Sequence, residues 1–404
     1  MGHNPVASLR ADWQTQAMVL GIIALLGTLP FWLTDLDLRV AEHFYHPEAD
    51  DPWYEGRLPL WSVLYRVAPL LAGLVLLGGV LILGAGGISR RLQPVRLYAV
   101  LVLATTLIGP GLLVNALFKD HWGRPRPHQL ECLGGNKSYL PPLMRGEPGG
   151  GKSFPCGHSS VGYMLGVFYL IWRRSRPRLA WGALAGALAL GTLLGIGRMA
   201  AGDHFLSDVV WSGIIAYGVA VALYFGLLRV LQWQKSGAAR PPGATLPSRY
   251  PIRASLGYGF LSLLLLFGVL LATPVSDDVR EVIRAGQLKD QPRVLRIDAD
   301  DLDLIIYGAD GPELGLLRLQ VRGFGLPTAR VRQDAQVRGG VVTYRVVHQG
   351  IFTERDTKLV VGLVAGQWDR VEARIGIGDI LVHPLGRASP RLDLASADGS
   401  VILE

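Results

Sequence analysis

Seven stretches of this chain are apolar enough, and about long enough, to cross a lipid bilayer. They lie near residues 16–34, 67–88, 97–118, 158–172, 179–197, 206–228 and 255–273. A helix needs ~20 apolar residues to span the hydrocarbon core. Within it, every backbone N–H and C=O must be bonded inside the segment. The stretches therefore predict an α-helical integral membrane bundle. The fourth is short and suffices only if its helix begins at the polar residues just before it. Half of the residues are hydrophobic and 18% are charged, as membrane chains require. The first stretch lacks a small-residue cleavage site and reads as a retained anchor. Gly182, Gly186, Gly191 and Gly195 punctuate the fifth. Small residues there predict close helix packing.

Charge sets the orientation. Up to Thr273 there are 23 Lys and Arg against 13 Asp and Glu; beyond it there are 17 against 19. The basic excess thus belongs to the apolar part. Arg90, Arg91 and Arg96 follow span two, Arg173, Arg174, Arg176 and Arg178 follow span four, and Arg229, Lys235, Arg240, Arg249 and Arg253 follow span six. All fall on one side, which is therefore cytoplasmic. The loop between Asp35 and Arg66 lies opposite and is largely acidic. No basic groove is interleaved with aromatics, so nucleic acid is not an expected partner.

Residues 235–254, rich in Pro, Gly and Arg, read as a cytoplasmic linker. After Pro274 the pattern changes. Leu302–Tyr307, Val341–Val347 and Lys358–Val364 read as strands bounded by Gly or Asp turns. Ile377–Val382 and Ala397–Leu403 look like two copies of one turn-and-strand unit about 20 residues apart, which predicts a β-solenoid or stacked sheet. With seven spans before it, this β domain falls outside the cytoplasm. The predicted organisation is a membrane domain over 1–234, a linker over 235–254, a seventh span over 255–273 and an extracytoplasmic β domain over 274–404.

Three polar stretches sit at the outer edges of spans: Lys119–Pro127, Ser153–Ser160 and Gly197–Asp208. Ionisable groups beside a membrane span mark function. Lys119, Arg126 and Arg198 supply the firm cations that a transferring phosphoryl group needs. A helix starting at Gly157 would add backbone donors for an anion. His204 and Asp208, spaced i,i+4, share a helix face. The carboxylate can hold one imidazole nitrogen and leave the other to attack. His158 is the natural general acid for the leaving alkoxide. Asp203 reads as the N-cap of span six, and Lys119, Arg124 or Arg126, taken singly, as an interfacial anchor. Cations stand where a metal would need ligands, so no metal or other cofactor is expected.

These residues carry a resemblance. Lys119 with Arg126-Pro127, Pro155-Cys156-Gly157-His158, and Arg198 with His204 and Asp208 resemble the three signatures of the type 2 phosphatidic acid phosphatase (PAP2) superfamily. Cys156 and Gly197 stand where that family usually has Ser. Ile108–Pro127, Gly202–Val210 and Glu42–Tyr45 are most similar to its lipid A 4'-phosphatase branch. The resemblance covers roughly residues 15–230. It implies a six-helix core, to which the seventh span is an addition. It implies metal-independent phosphomonoester hydrolysis through a phosphohistidine at His204, with His158 as leaving-group acid and phosphate held by Lys119, Arg126, Arg198 and Gly157. It also implies a multi-pass protein of a bacterial inner membrane, with its site on the periplasmic side and a phosphorylated membrane lipid as partner. Related branches act on undecaprenyl pyrophosphate, phosphatidic acid or phosphatidylglycerol phosphate. The segment after Pro274 resembles adhesin-type β domains.

Two readings of other classes compete. A transporter would carry its charges in mid-span, whereas these spans are nearly charge-free. A β-domain binding protein on an inactive phosphatase core would not need all six site residues at once. Cys132 and Cys156, the only cysteines, share the outer loop between spans three and four and are predicted to form a disulfide. The bridge would order a Gly- and Pro-rich loop, at ~3 kcal/mol for such a closure.

Overall fold

The computed structural model describes residues 5–236 and 273–403, apart from positions 50, 89, 90, 120, 148, 149, 285, 287, 289–291, 310, 312 and 387. The predicted seventh span and most of the predicted linker lie outside the described residues. The chain divides into two compact units. The described helices belong to the first and the described strands to the second.

In the first unit, helix α1 (Pro5–Leu26) is followed by two short helices, α2 (Leu29–Leu33) and α3 (Leu36–His43). Helix α4 (Pro59–Ile88) comes next. Helix α5 (Arg96–Thr106) continues as wide π-type turns over Leu107–Lys119. Pro110 lies inside those turns and has no N–H to give to an ordinary helical bond; Asn115 Nδ2 donates to its carbonyl at 2.7 Å. Two short helices follow, α6 (Gly157–Met164) and α7 (Val167–Trp172). Then come α8 (Pro177–Ala200), α9 (Leu206–Val221) with a wide-turned end, and α10 (Val230–Ser236). Among the described residues, five segments are long and apolar enough to cross a membrane: Asp12–Leu33, Pro59–Gly86, Gln93–Lys119, Pro177–Ala200 and Leu206–Leu227. Their outer faces leave Leu70, Leu74, Leu81, Trp181 and Leu188 exposed. Such an apolar surface suits lipid and not water. The protein is a multi-pass membrane protein.

The short fourth span has a structural reason. Helix α6 is buried along nearly its whole length and is the protein-wrapped centre of the bundle. Its approach to α8 is so close that a Cβ on Gly162 would lie 2.4 Å from the Gly191 nitrogen. Gly195 likewise has Val209 and Ser159 within 2.8 Å of where a Cβ would sit. Gly182 and Gly186, also predicted as packing glycines, meet nothing within 4 Å.

A charge cluster gathers around Asp12 of α1. Asp12 pairs with Arg174 at 2.9 Å, Lys235 at 3.4 Å and Arg173 at 3.7 Å. These ties join the first helix to the ends of α7 and α10.

Among its described residues the second unit has eleven strands: β1 (Thr273–Ile283), β2 (Val294–Asp301), β3 (Asp303–Ala309), β4 (Gly315–Gly325), β5 (Arg330–Arg338), β6 (Val341–Gln349), β7 (Phe352–Val364), β8 (Arg370–Ile377), β9 (Ile380–Val382), β10 (Arg391–Asp398) and β11 (Val401–Leu403). They form a six-stranded sheet, β1-β4-β7-β3-β9-β11, and a five-stranded sheet, β10-β8-β2-β6-β5. The consecutive pairs β2/β3, β6/β7, β8/β9 and β10/β11 each cross from the second sheet to the first. The rungs so made stack in parallel. The stacked rungs match the predicted solenoid or stacked sheet, with β1, β4 and β5 added to them in antiparallel pairing. Arg370 pairs with Arg391 and Ile380 with Val401, a repeat of 21 residues. Alternate residues such as Leu295, Ile297, Leu304, Ile306, Val371 and Ala373 point between the sheets and form the core.

The corners of the rungs are built alike. Asp379 donates its N–H to Asp303 Oδ1 at 2.9 Å, and Ser400 donates its N–H to Asp379 Oδ1 at 2.8 Å. Gly378 and Gly399 precede these residues because a Cβ at either would lie 2.1 Å from a carbonyl oxygen of the next corner.

Candidate active site

The first polar stretch ends the wide-turned segment of α5, which leaves Lys119 buried at its last residue. The second stretch opens α6 at Gly157, the start the sequence required. A Cβ on Gly157 would lie 2.5 Å from Asn115 Oδ1, so glycine lets α6 seat against the wide turns. The Cys156 N–H donates to the Asp208 carbonyl at 3.2 Å, which docks that helix start onto α9. The third stretch runs from the end of α8, through the turn at Ala201–Phe205, into α9.

Asp203 joins the two predicted phosphate-binding arginines. Arg126 Nη1 donates to its Oδ1 at 3.0 Å, and Arg198 Nη2 lies 3.1 Å from its Oδ2. One carboxylate thus sets both guanidinium groups, and all three residues are buried. This corrects the expectation that Asp203 caps the helix. Helix α9 begins at Leu206 with Phe205 as its N-cap, and the Phe205 N–H is taken by Asp208 Oδ2 at 2.8 Å.

The next residue, His204, is almost wholly buried. Its Nδ1 lies 2.5 Å from the Ser153 carbonyl oxygen and 3.7 Å from Asp208 Oδ2. A carbonyl only accepts, so Nδ1 carries the proton and the neutral ring keeps its lone pair on Nε2. Asp208 supports this from behind, because Ser153 Oγ donates to its Oδ2 at 2.6 Å. Burial works against the charged imidazole. The Cys156 sulfur and the Asp208 carboxylate outweigh burial and raise its pKa above the ordinary value.

Behind Asp208 lies a residue read from the sequence only as an anchor. Arg124 is fully buried. Its Nη1 donates to Asp208 Oδ1 and, at 2.9 Å, to Ser207 Oγ. Its Nη2 donates to Asp37 Oδ2 at 2.9 Å, and its Nε to the Leu140 carbonyl at 2.9 Å. Its guanidinium also lies 4.6 Å from the Phe205 ring centroid. Burial pushes the Asp37 carboxyl up, against the pull of Arg124. Asp37 was not picked out among the acidic residues of the first outer loop. Nothing local separates it from Asp35, because its partners stand 87 and 170 residues away.

His158 stacks on Tyr65 of α4, with ring centroids 4.8 Å apart and planes 15° apart. The Arg198 guanidinium also lies over the Tyr65 ring, 4.8 Å from its centroid. One turn earlier on α4, Trp61 covers Gly197; a Cβ there would approach its ring to 3.1 Å. A larger side chain would press on that indole, which accounts for Gly at this position.

The predicted disulfide is absent: Cys132 and Cys156 are free thiols. Cys156 is buried beside Met199 and Val209, and its sulfur accepts from Ser159 Oγ at 3.2 Å. Cys132 is exposed in a short turn at Glu131–Leu133. The loop does not need a bridge. Arg124 holds it at Leu140, Trp122 Nε1 donates to Met144 O at 3.0 Å, Lys137 Nζ to Gly150 O at 3.0 Å, and Trp32 Nε1 to Pro142 O at 2.9 Å.

The model of the PAP2 superfamily matches residues 97–230. Over 205 residues the chain is 33% identical to a lipid A 4'-phosphatase of Francisella tularensis subsp. novicida, a match covering 50% of this chain and 90% of that protein. Among solved structures it is similar to a transmembrane PAP2-type phosphatidylglycerolphosphate phosphatase from Bacillus subtilis. That likeness is 20% identical and covers 57% of this chain and 96% of that one, with a TM-score of 0.31. A candidate cell adhesion protein from Clostridium sporogenes is similar over 32% of this chain and 99% of its own, at 5% identity and a TM-score of 0.20.

Proposed function

This chain belongs to the PAP2 superfamily, and from that premise we propose that it is a membrane-embedded lipid phosphate phosphatase acting on a phosphomonoester, with lipid A 4'-phosphate as the favoured substrate. The observation that carries the reading is the join at Asp203–His204. One carboxylate aims Arg126 and Arg198, and the next residue offers an imidazole whose Nδ1 is held by a carbonyl.

In the first step, His204 Nε2 attacks phosphorus and the P–O bond to the lipid breaks. His158 gives its proton to the departing alkoxide. Lys119, Arg126, Arg198 and the start of α6 at Gly157 meet the charge on the phosphoryl oxygens. In the second step, His158 takes a proton from water, the water oxygen attacks phosphorus and the P–N bond breaks. Inorganic phosphate then leaves. The cationic lining supports a reaction without metal.

The positive ends of the loops, with the Asp12 cluster, support a periplasmic site in a bacterial inner membrane. The β unit would then also face the periplasm. The test is phosphate release in detergent and EDTA from lipid A, phosphatidic acid, phosphatidylglycerol phosphate and undecaprenyl pyrophosphate. The reading expects release from lipid A to be fastest and vanadate to inhibit it. A strict metal requirement would contradict the mechanism; preference for another lipid would contradict only the substrate.

A further inference from the structure

Helix α4 lies outside all three polar stretches, yet it sends one side chain into the site. We propose that Tyr65 is a positioning residue for the reaction: its ring face fixes the plane of His158 and the aim of Arg198 together. The proposal rests on the phosphatase reading above, which makes His158 the leaving-group acid and Arg198 a phosphate ligand.

The two contacts are independent and both use the face of the ring. The imidazole lies nearly parallel to it, 4.8 Å away. The guanidinium carbon lies 4.8 Å from its centroid. An aromatic face is electron-rich and attracts a cation. It therefore holds Arg198, while the stacked ring fixes the plane of the His158 imidazole. The helix itself is registered at this point. Trp61 and Tyr65 share a face of α4, one turn apart, and meet the consecutive residues Gly197 and Arg198 of α8. A shift of α4 would move the acid and the phosphate ligand together. A general acid displaced from its line to the leaving oxygen gives up part of the ~10²–10⁴-fold that such catalysis supplies.

The test compares an alkyl phosphate, phosphatidic acid, with an aryl phosphate, p-nitrophenyl phosphate, in the full-length detergent-solubilised protein. Nitrophenolate leaves without a proton, so only the alkyl ester needs the acid. Because the second step needs His158 with either ester, the readout is the single-turnover rate of P–O cleavage at saturating substrate: Tyr65→Leu should lose ~10²-fold there on the alkyl ester but less than ~10-fold on the aryl ester, with KM raised for both through Arg198. Tyr65→Phe, which keeps the face and drops the hydroxyl, should recover most of the loss. Equal losses on both esters with KM unmoved would overturn the proposal. So would a Tyr65→Phe variant as damaged as Tyr65→Leu. If Tyr65→Leu does not fold, Tyr65→Phe decides: selective loss on the alkyl ester as large as that of His158→Ala overturns the proposal, and near-parental selectivity supports it. His158→Ala also separates the two layers of the argument. No alkyl-over-aryl selectivity there sinks the acid assignment itself; selectivity there but not in Tyr65→Leu sinks only the role of Tyr65.

Discussion

In the helical unit a guanidinium, Arg124, is shut away from solvent between the carboxylates of Asp37 and Asp208. In the β unit the partly buried carboxylate of Asp303 meets a backbone N–H at a rung corner. Arg318, a buried arginine of that unit, forks onto Asp278, which is exposed. The first network is closed and surrounds a histidine. The others finish a corner or a rim: one ends on a backbone N–H and the other on an exposed carboxylate. A buried charge thus signals chemistry when its partners converge on a further reactive group, and architecture when they end on the backbone or on water.

The largest consequence of the difference is catalytic. His204→Ala should lose phosphatase activity by ~10⁴-fold or more while the protein stays folded. Asp208→Asn should lose ~10²–10⁴-fold, with a change in pH profile. The His204 pKa is raised above 6.5, so kcat/KM of the parent should climb with pH through a value above that. Removing the Asp208 charge removes one source of the raise and should move this limb to lower pH. A limb that stays in place in Asp208→Asn would break the link between the buried network and the nucleophile.

A smaller effect is on stability. Arg124→Met strands two buried carboxylates and should cost ~3–5 kcal/mol. Arg318→Met in the β unit leaves a carboxylate that water can reach, and should cost ~1 kcal/mol or less. Thermal unfolding of the full chain, followed in each unit, tests the pair. Equal losses would dissolve the contrast.

The smallest effect concerns Asp303. Burial, with the nearby Asp356 and Asp379 carboxylates, raises its pKa from 3.8 to about 6. A raised carboxyl pKa contributes stability that is fully present below 3.8 and is lost as pH rises through about 6. Asp303→Asn keeps an acceptor for the Asp379 N–H and removes the charge. It should melt slightly higher than the parent above pH ~6 and lose that advantage in acid. An advantage that persists unchanged at pH ~3.5 would contradict the assignment.

The sequence made some of this legible and hid the rest for physical reasons. The helices announced themselves because a span must be apolar along its whole length. The three polar stretches did so because their residue types stand at the spacing of the PAP2 signatures. The two Gly-bounded corners at 378–379 and 399–400 revealed the solenoid because each rung repeats the same backbone constraint. Strand β5 (Arg330–Arg338) was not foreseen, since most of its side chains are exposed and polar. Strand β1 carries Asp277 and Asp278 in mid-strand and gave no clean alternation. Asp37 and Tyr65 were missed because each has its partners far along the chain, and a lone Asp in an acidic loop or a Tyr in an apolar helix looks ordinary. Asp203 was misread because capping is a local rule, while its real partners, Arg126 and Arg198, arrive from two other elements. The expected disulfide failed for a related reason. The loop looked unsupported, but Arg124 and three further side chains hold it.

The central claim is that His204 carries the phosphoryl group between lipid and water. Mixing the purified protein with lipid A labelled at the 4'-phosphate, quenching within one turnover and mapping the label by mass spectrometry tests it directly. The account predicts an acid-labile phosphate on His204, absent from His204→Ala and accumulating when His158 is replaced and an activated aryl phosphate is the donor. Label on another side chain, or turnover with no protein-bound phosphate at any time, would contradict it.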